Sequence, residues 1–382
     1  MTILFCALRR GAQRESFMER VETKGLSWSA ALLVTALITL IAILLAKWFT
    51  GFGRGPAGAA TLLPCNASQT IEPLGDGVVY SDGTHLHALN STGRQKWNYM
   101  VGAGFSFDAN EDGVAAWTGS SIALLDADSG AALFSGVMGE KVISATMGES
   151  YAAVLIGEDE QNSTLMILEH GGHEIDKITL PNMTVLQYGF FNNGNMLWIM
   201  SLDTEGTVPM SQLTTYRPGR MQSGKIIDSE QVLYQAAFES PNVYTIGTIY
   251  SKVYDYTGVE DVARRRLIYG WYLMDSGGTG DSALMAYAPM AQVGAEVKVS
   301  DVRLISGAAD RTVRMPFPCH ALDVHEGKVY GFSDQYVMSC GIGDKKASVM
   351  QLPVWCDGML GITQNNSAVV VSGESIYLVT LP

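Results

Sequence analysis

The sequence predicts an all-β chain folded as a β-propeller. Eight blades are favoured, with seven as the alternative count; an N-terminal strand closes the ring and one transmembrane α-helix precedes it. Three observations lead there. One uninterrupted apolar run lies near the N-terminus. Beyond residue 66 the chain breaks into short β-rich runs separated by Gly, Asp, Asn and Ser. Those runs recur at a spacing of about 36 to 45 residues, the length of four short strands and their turns.

The apolar run reads LSWSAALLVTALITLIAILLA from Leu26 to Ala46 and holds no charge. At 1.5 Å per residue it spans roughly 30 Å, the thickness of a bilayer's hydrocarbon core. Trp28 and Trp48 stand at its two ends, where indoles prefer the membrane interface. A buried core helix rarely needs so long a run without a charge. Arg9, Arg10, Arg14, Arg20 and Lys24 precede the run, and only Lys47 and Arg54 closely follow it. The positive-inside rule therefore places the N-terminus in the cytoplasm and the rest outside. A cleaved signal peptide is the rival reading, with Ala57-Gly58-Ala59 as its cleavage site. That site lies too far past a run that is too long for a signal peptide's apolar core. The expected organisation is a cytoplasmic stub (1–25), a transmembrane helix (26–48), a flexible stalk with the closing strand (49–66) and the propeller (67–382). The stalk begins FTGFGRGPAGAA, rich in Gly and Ala.

Composition sets the limits of the larger part. The chain is 47% apolar and only 16% charged, which excludes a disordered tail. Its 41 glycines and 12 prolines suit many strands joined by tight turns. The formal charge is −13, and the first fifty residues are net basic, so the remainder is more acidic still. An acidic domain repels phosphate backbones, which argues against nucleic acid as a partner. Arg264-Arg265-Arg266 is the only dense basic run after residue 50; a solvated strand or loop outweighs an anion site as its explanation.

Three segments align without gaps: Val78–Leu89 (VVYSDGTHLHAL), Val114–Leu125 (VAAWTGSSIALL) and Val369–Thr380 (VVVSGESIYLVT). Each is an apolar strand, a turn and a second apolar strand, the pattern of a tight hairpin. Looser copies lie at Tyr151–Leu168, Met196–Tyr216, Val243–Tyr256, Ala283–Leu304 and Val329–Ser339. In the first two copies an aromatic residue, Trp97 or Phe134, follows four positions after Gly93 or Gly130. The glycine can supply a positive φ, and the aromatic can pack between sheets. PFPCHALDV (Pro316–Val324) is echoed by PVWCDGMLG (Pro353–Gly361). One four-stranded sheet cannot bury both faces alone, so the copies pack around an axis. The last unit supplies three strands, and a strand from residues 61–71 is expected to complete it. Residues 231–315 are irregular, which keeps seven blades open.

On these repeats, above all VVYSDGTHLHALNSTGRQKW (Val78–Trp97), the domain resembles the quinoprotein-type (PQQ-like) and WD40-like propeller superfamily. The layout of basic stub, single membrane helix and propeller also resembles an uncharacterised bacterial family, DUF five-seven-one-one. That resemblance implies a membrane-anchored propeller and brings no activity with it. The chain departs from quinoprotein dehydrogenases in length and in lacking an adjacent Cys pair, so no cofactor residues are carried over.

Candidate chemistry is sparse. His85 and His87 alternate on one strand and share a face, but nothing places a third metal ligand, so they read as strand-surface residues. His170 and His173 fall in a turn. His320 and His325, near Cys319, Asp323 and Glu326, form the densest set of ligand types, and ordinary polar strand ends explain them better. Cys6 is expected in the stub. Cys65, Cys319, Cys340 and Cys356 could form disulfides outside the cytoplasm, a Cys65–Cys356 staple among them, or remain buried thiols. Ser276-Gly277-Gly278-Thr279-Gly280 reads as a turn. No nucleophile elbow, phosphate loop or zinc-protease helix is present. The expectation is a non-catalytic membrane-anchored module that binds a protein, peptide or other ligand, without cofactor or metal. A propeller enzyme with its site at the central channel and a membrane sensor are the alternatives.

Overall fold

The computed structural model describes residues 58–159, 161–191, 193–279, 282–294 and 298–381. The expected cytoplasmic stub, the expected transmembrane helix and residues 49–57 of the stalk lie outside them. Among the described residues no helix is long and apolar enough to cross a membrane.

Those residues form eight four-stranded sheets, each an antiparallel meander. Seven take four consecutive strands. The eighth joins Gly358–Ile362, Ser367–Ser372 and Ser375–Thr380 to Ala60–Asn66, with Thr61 opposite Leu378. The ring is thus closed by an N-terminal strand, as expected. That strand ends at Asn66, and Ile71 already begins the first strand of the next blade. Counted from there, blades 1 to 7 occupy 71–100, 106–137, 142–181, 183–228, 233–267, 271–319 and 321–351. Every repeat copy found in the sequence falls on the second and third strands of one blade. These central strands are buried on both faces and read as continuous apolar runs. Gly113–Thr118 and Ser121–Leu125 of blade 2 are examples, whereas its outer strand Ala132–Val137 is largely exposed.

The core is divided among the seams between blades. Eight apolar clusters are present, one per seam, from Leu63, Ile71 and Val369 between blades 8 and 1 to Tyr330, Met350 and Val370 between blades 7 and 8. First strands of most neighbouring blades lie against one another, including those of blades 8 and 1. Blades 1 to 3 add the expected glycine and aromatic device. Gly130, at φ 66°, lies so close over Trp97 that a Cβ would come within 2.4 Å of the indole. The Trp97 indole N–H donates to the Ala127 carbonyl at 3.0 Å. Gly172, at φ 84°, lies over Phe134 in the same way. Only glycine takes that φ without strain and also leaves room for the ring.

The irregular stretch has a physical explanation. In blade 5 the fourth strand is only Arg266–Leu267, reached after a long connection holding the 3-10 turn Val262–Arg264. In blade 6 the first strand is Trp271–Thr279, which corrects the reading of Ser276–Thr279 as a turn. Its glycine serves close approach: a Cβ on Gly277 would meet the Val324 carbonyl of blade 7 at 2.7 Å.

Alternation of strand direction gives the ring two ends. The first-to-second and third-to-fourth turns lie at one, the hairpin face. The second-to-third turns and the crossovers between blades lie at the other, the crossover face.

Candidate functional site

The first strand of each blade is a sheet edge, so its outer N–H and C=O groups need partners from elsewhere. Side chains of the preceding blade supply several. Glu72 Oε2 accepts the Ala109 N–H at 2.6 Å, and Asp275 Oδ2 accepts the Val324 N–H at 2.5 Å. The Tyr234 hydroxyl accepts the Leu273 N–H at 3.0 Å. Asp108 accepts from Thr146 Oγ1 at 2.8 Å, Ser144 bonds the Tyr188 hydroxyl at 2.8 Å, and Gln187 donates to Gln235 at 3.1 Å. A ladder of polar bridges therefore links the inner strands around the channel.

Burial shifts the acids of this ladder upward. Glu72 rises to about 7, with the charge of Asp108 adding to the effect of burial. Asp323 rises to about 7 through burial and the nearby charge of Asp275. Asp108 and Asp275 are raised by burial as well. Perturbed carboxyls in a channel are the usual mark of acid–base chemistry. Here one oxygen each of Glu72, Asp108 and Asp275 is engaged by a group of the next blade. Sequence reasoning missed these acids. The available signal was an acid two to four residues before the first tight turn, as in Glu72-Pro-Leu-Gly75 and Asp108-Ala-Asn-Glu111.

Toward the hairpin face the channel widens into adjoining cavities of about 470, 300 and 480 Å³, all lined by Glu111. The first, of about 470 Å³, has walls of Phe190, Trp198 and Phe238, with Asn110, Thr146 and Gln235 as polar points. Glu111, Asp112 and Glu149 stand at the rim, and none has an ion-pair partner among the described residues. Asp112 is raised by burial and by the charges of Glu111 and Glu149. This mouth has the acidic character expected of a domain with this charge.

The crossover face is different. Several large apolar side chains stand exposed there: Tyr269 (74%), Met290 (57%) and Trp355 (50%), with Val232, Tyr272 and Phe317 also exposed. Two coplanar stacks lie near them, Tyr234 on Tyr272 at 5.1 Å and Phe317 on Tyr336 at 4.5 Å. Exposed apolar groups at the hairpin face are fewer, chiefly Met221, Val259 and Val262 on the outer rim of blades 4 and 5.

The remaining sequence candidates resolve individually. His85 and His87 share one strand with ring centroids 6.1 Å apart, and His87 Nε2 lies 3.0 Å from Asp82 Oδ2. The bond to His87, with backbone donors, holds the Asp82 carboxyl well below the usual range. His170 Nε2–H donates to the Gly148 carbonyl at 2.8 Å. Among the described residues no three His, Cys, Asp or Glu side chains are placed to hold a metal, so His320 and His325 do not join Cys319, Asp323 and Glu326 in a ligand set. Cys65, Cys319, Cys340 and Cys356 are free and buried. Cys65 lies in the seam between blades 8 and 1 and Cys356 in that between blades 7 and 8, so the staple is not formed. Burial pushes the Cys65 thiol up to about 11 and those of Cys319 and Cys356 up to about 12, which leaves them unreactive. Two arginines of the run are ion-paired with nearby acids. Arg264 pairs with Glu239 at 2.6 Å, Arg265 grips Glu260 at 2.8 and 2.9 Å, and Arg266 donates to the carbonyls of Ala263 and Arg265.

No family model and no curated protein matches the chain. Solved structures do. The C-terminal WD40 domain of Sif2 superposes with a TM-score of 0.58 at 12% identity, covering 86% of this chain and 100% of that one. Sqt1 of Saccharomyces cerevisiae gives 0.55 at 11%, covering 82% and 95%. A eukaryotic initiation factor gives 0.53 at 13%, covering 85% and 87%. At such identities the likeness establishes the fold alone: the described domain is a WD40-like β-propeller of eight blades.

Proposed function

We propose that this chain is a membrane-anchored, non-catalytic interaction module, held by the segment 26–48 with its propeller outside the cytoplasm. It belongs by layout with the DUF five-seven-one-one-like propellers. The observation that supports this reading best is the crossover face, where tyrosine, methionine and tryptophan stand exposed across blades 5 to 8 on a domain otherwise rich in acid. Those residue types are enriched in protein interfaces and dominate their binding energy. Several large aromatic and apolar side chains exposed on one face make that face the candidate for contact with another molecule.

The test is affinity capture from membranes with the full chain in detergent. Wild type is compared with a crossover-face pair, Tyr269→Ser with Trp355→Ala, and a mouth pair, Glu111→Lys with Glu149→Lys. A partner held by wild type and the mouth pair, but lost from the crossover pair, supports the reading. Equal capture by all three overturns the assignment of the face. A stoichiometric metal or chromophore in the purified chain overturns the non-catalytic reading. Protease accessibility of the propeller in intact cells, against that in lysed cells, tests the topology.

A further inference from the structure

We infer that the groove between blades 6 and 7 on the crossover face is a docking slot for an extended, proline-bearing peptide segment of the partner. The inference rests on the interaction reading above and names the chemistry of the partner.

The groove encloses about 330 Å³. Its wall is the Phe317–Tyr336 stack, whose rings lie 9° from parallel, and Trp355 stands beside it half exposed. Lys298 and Asp334 also line it, but their ion pair at 2.7 Å cancels both charges. The slot is therefore a neutral, aromatic exception on an acidic domain. Charge complementarity favours neither a cationic nor an anionic ligand, unlike the acidic mouth at the opposite face.

The unspent hydrogen-bonding groups narrow the choice further. The Trp355 indole N–H, the Tyr336 hydroxyl and the Gln335 amide line the slot, and none of them has a side-chain hydrogen bond to another described residue. Two of these are donors and the third can donate. A polyproline II segment offers what such a slot lacks: carbonyls with no internal donor, and flat apolar rings already fixed in shape. Aromatic grooves exploit that match with little loss of entropy on binding. A sugar presents many hydroxyl donors, which a free carboxylate receives most strongly. The one carboxylate in the slot, that of Asp334, already accepts from Lys298 through both oxygens, at 2.7 and 2.9 Å.

The test is isothermal titration of the full chain in detergent with decaproline, a Gly-Ser peptide of equal length and an N-acetylglucosamine tetrasaccharide. Saturable binding of decaproline alone is expected, weakened about tenfold or more by Trp355→Ala. Trp355→Phe keeps a ring but loses the donor and is expected to fall between. Glu149→Gln at the opposite face serves as the folded control and is expected to bind as wild type. Absence of decaproline binding, binding indifferent to Trp355→Ala, or preference for the tetrasaccharide overturns the inference. Competition in the capture experiment separates the two levels. If decaproline releases the captured partner, both stand. If the partner is held by the crossover face but decaproline neither binds nor displaces it, the groove assignment fails and the interaction reading survives.

Discussion

In the seam between blades 1 and 2, Trp97 lies beneath Gly130 among Leu74, Val79, Leu86 and Val114. In the seam between blades 4 and 5, the buried layer also holds Lys252 and Asp228, 5% and 0% exposed and 2.9 Å apart. Lys252 also reaches Glu230 at 2.7 Å, and Gln231 donates to Asp228 at 3.0 Å. Gln231 further accepts the backbone N–H groups of Ile249 and Tyr250 at 3.0 and 2.7 Å. Burial alone would lower the Lys252 pKa, but the bonds to Glu230 and Asp228 outweigh it and raise the value. Both seams close the same gap between two sheets. The first relies on apolar area and a glycine-over-ring contact that tolerates displacement poorly. The second adds to its apolar cluster of Met196, Leu213, Ile226 and Val243 a charge pair that is safe only while complete.

The sharpest way to break this contrast is Lys252→Met. It leaves Asp228 buried with no cation, only the Gln231 amide and the Glu230 backbone N–H as donors, and is expected to cost about 4 kcal/mol in chemical denaturation. Pairing it with Asp228→Leu is expected to restore most of that loss, because an apolar pair of similar volume replaces the ion pair. A cost below about 1 kcal/mol for the single variant would show that the pair is solvated and the contrast false.

A second prediction uses the polar ladder around the channel. The folded pKa of Glu72 is raised to about 7, above its unfolded value. Its protonated form therefore stabilises the fold at low pH, and that contribution is lost as pH rises from about 4.5 through 7. Glu72→Gln keeps an oxygen to accept the Ala109 N–H and removes the titration. The variant is expected to be more stable than wild type at pH 8 by about 2 kcal/mol, with the difference closing near pH 4. Thermal denaturation across that range measures it. A constant offset at every pH would assign the effect to packing rather than to ionisation.

Gly130→Ala probes the apolar seam directly. The added Cβ forces an unfavourable φ and displaces Trp97, and a loss of about 2 kcal/mol is expected. Gly119→Ala, at φ 59° with open space around it, separates the two causes. It is expected to cost about 1 kcal/mol from the backbone alone. Equal losses would mean that the ring above Gly130 yields freely.

The same contrast explains what the sequence could reveal. Val78–Leu89, Val114–Leu125 and Val369–Thr380 align because their strands are buried on both faces and carry little but apolar residues. The spacing of Gly93 to Trp97 and of Gly130 to Phe134 left a signal for turns and seam aromatics, but not for the next blade's glycine, Gly130 or Gly172, lying over each ring. Blade 5 left only the looser copy Val243–Tyr256. Beside Val243, Tyr244, Ile246 and Val253 it buries Gln231, Thr245, Ser251 and Lys252, which look like surface residues in a linear reading. Its outer strand has shrunk to two residues. The Ser276–Thr279 segment misled for a related reason: its glycines mark where the next blade comes close, a fact about tertiary structure. The face that carries the proposed function was equally hidden. Tyr269, Phe317 and Trp355 come from three crossovers or strand ends far apart in the chain, and only ring closure brings them to one side.

The smallest effect is expected where the seams play no part. Tyr269 is 74% exposed on the crossover between blades 5 and 6, so Tyr269→Ser removes a ring that buries little apolar area in the isolated domain. Its cost in urea denaturation is expected to stay within about 0.5 kcal/mol, the range of ordinary surface substitutions. Set beside Lys252→Met, that near-zero value identifies an aromatic retained without benefit to the fold, which is the property of a residue kept for contact with another molecule. A loss above about 1 kcal/mol would mean that Tyr269 is covered by part of the chain itself, and the crossover face would then lose its most exposed anchor.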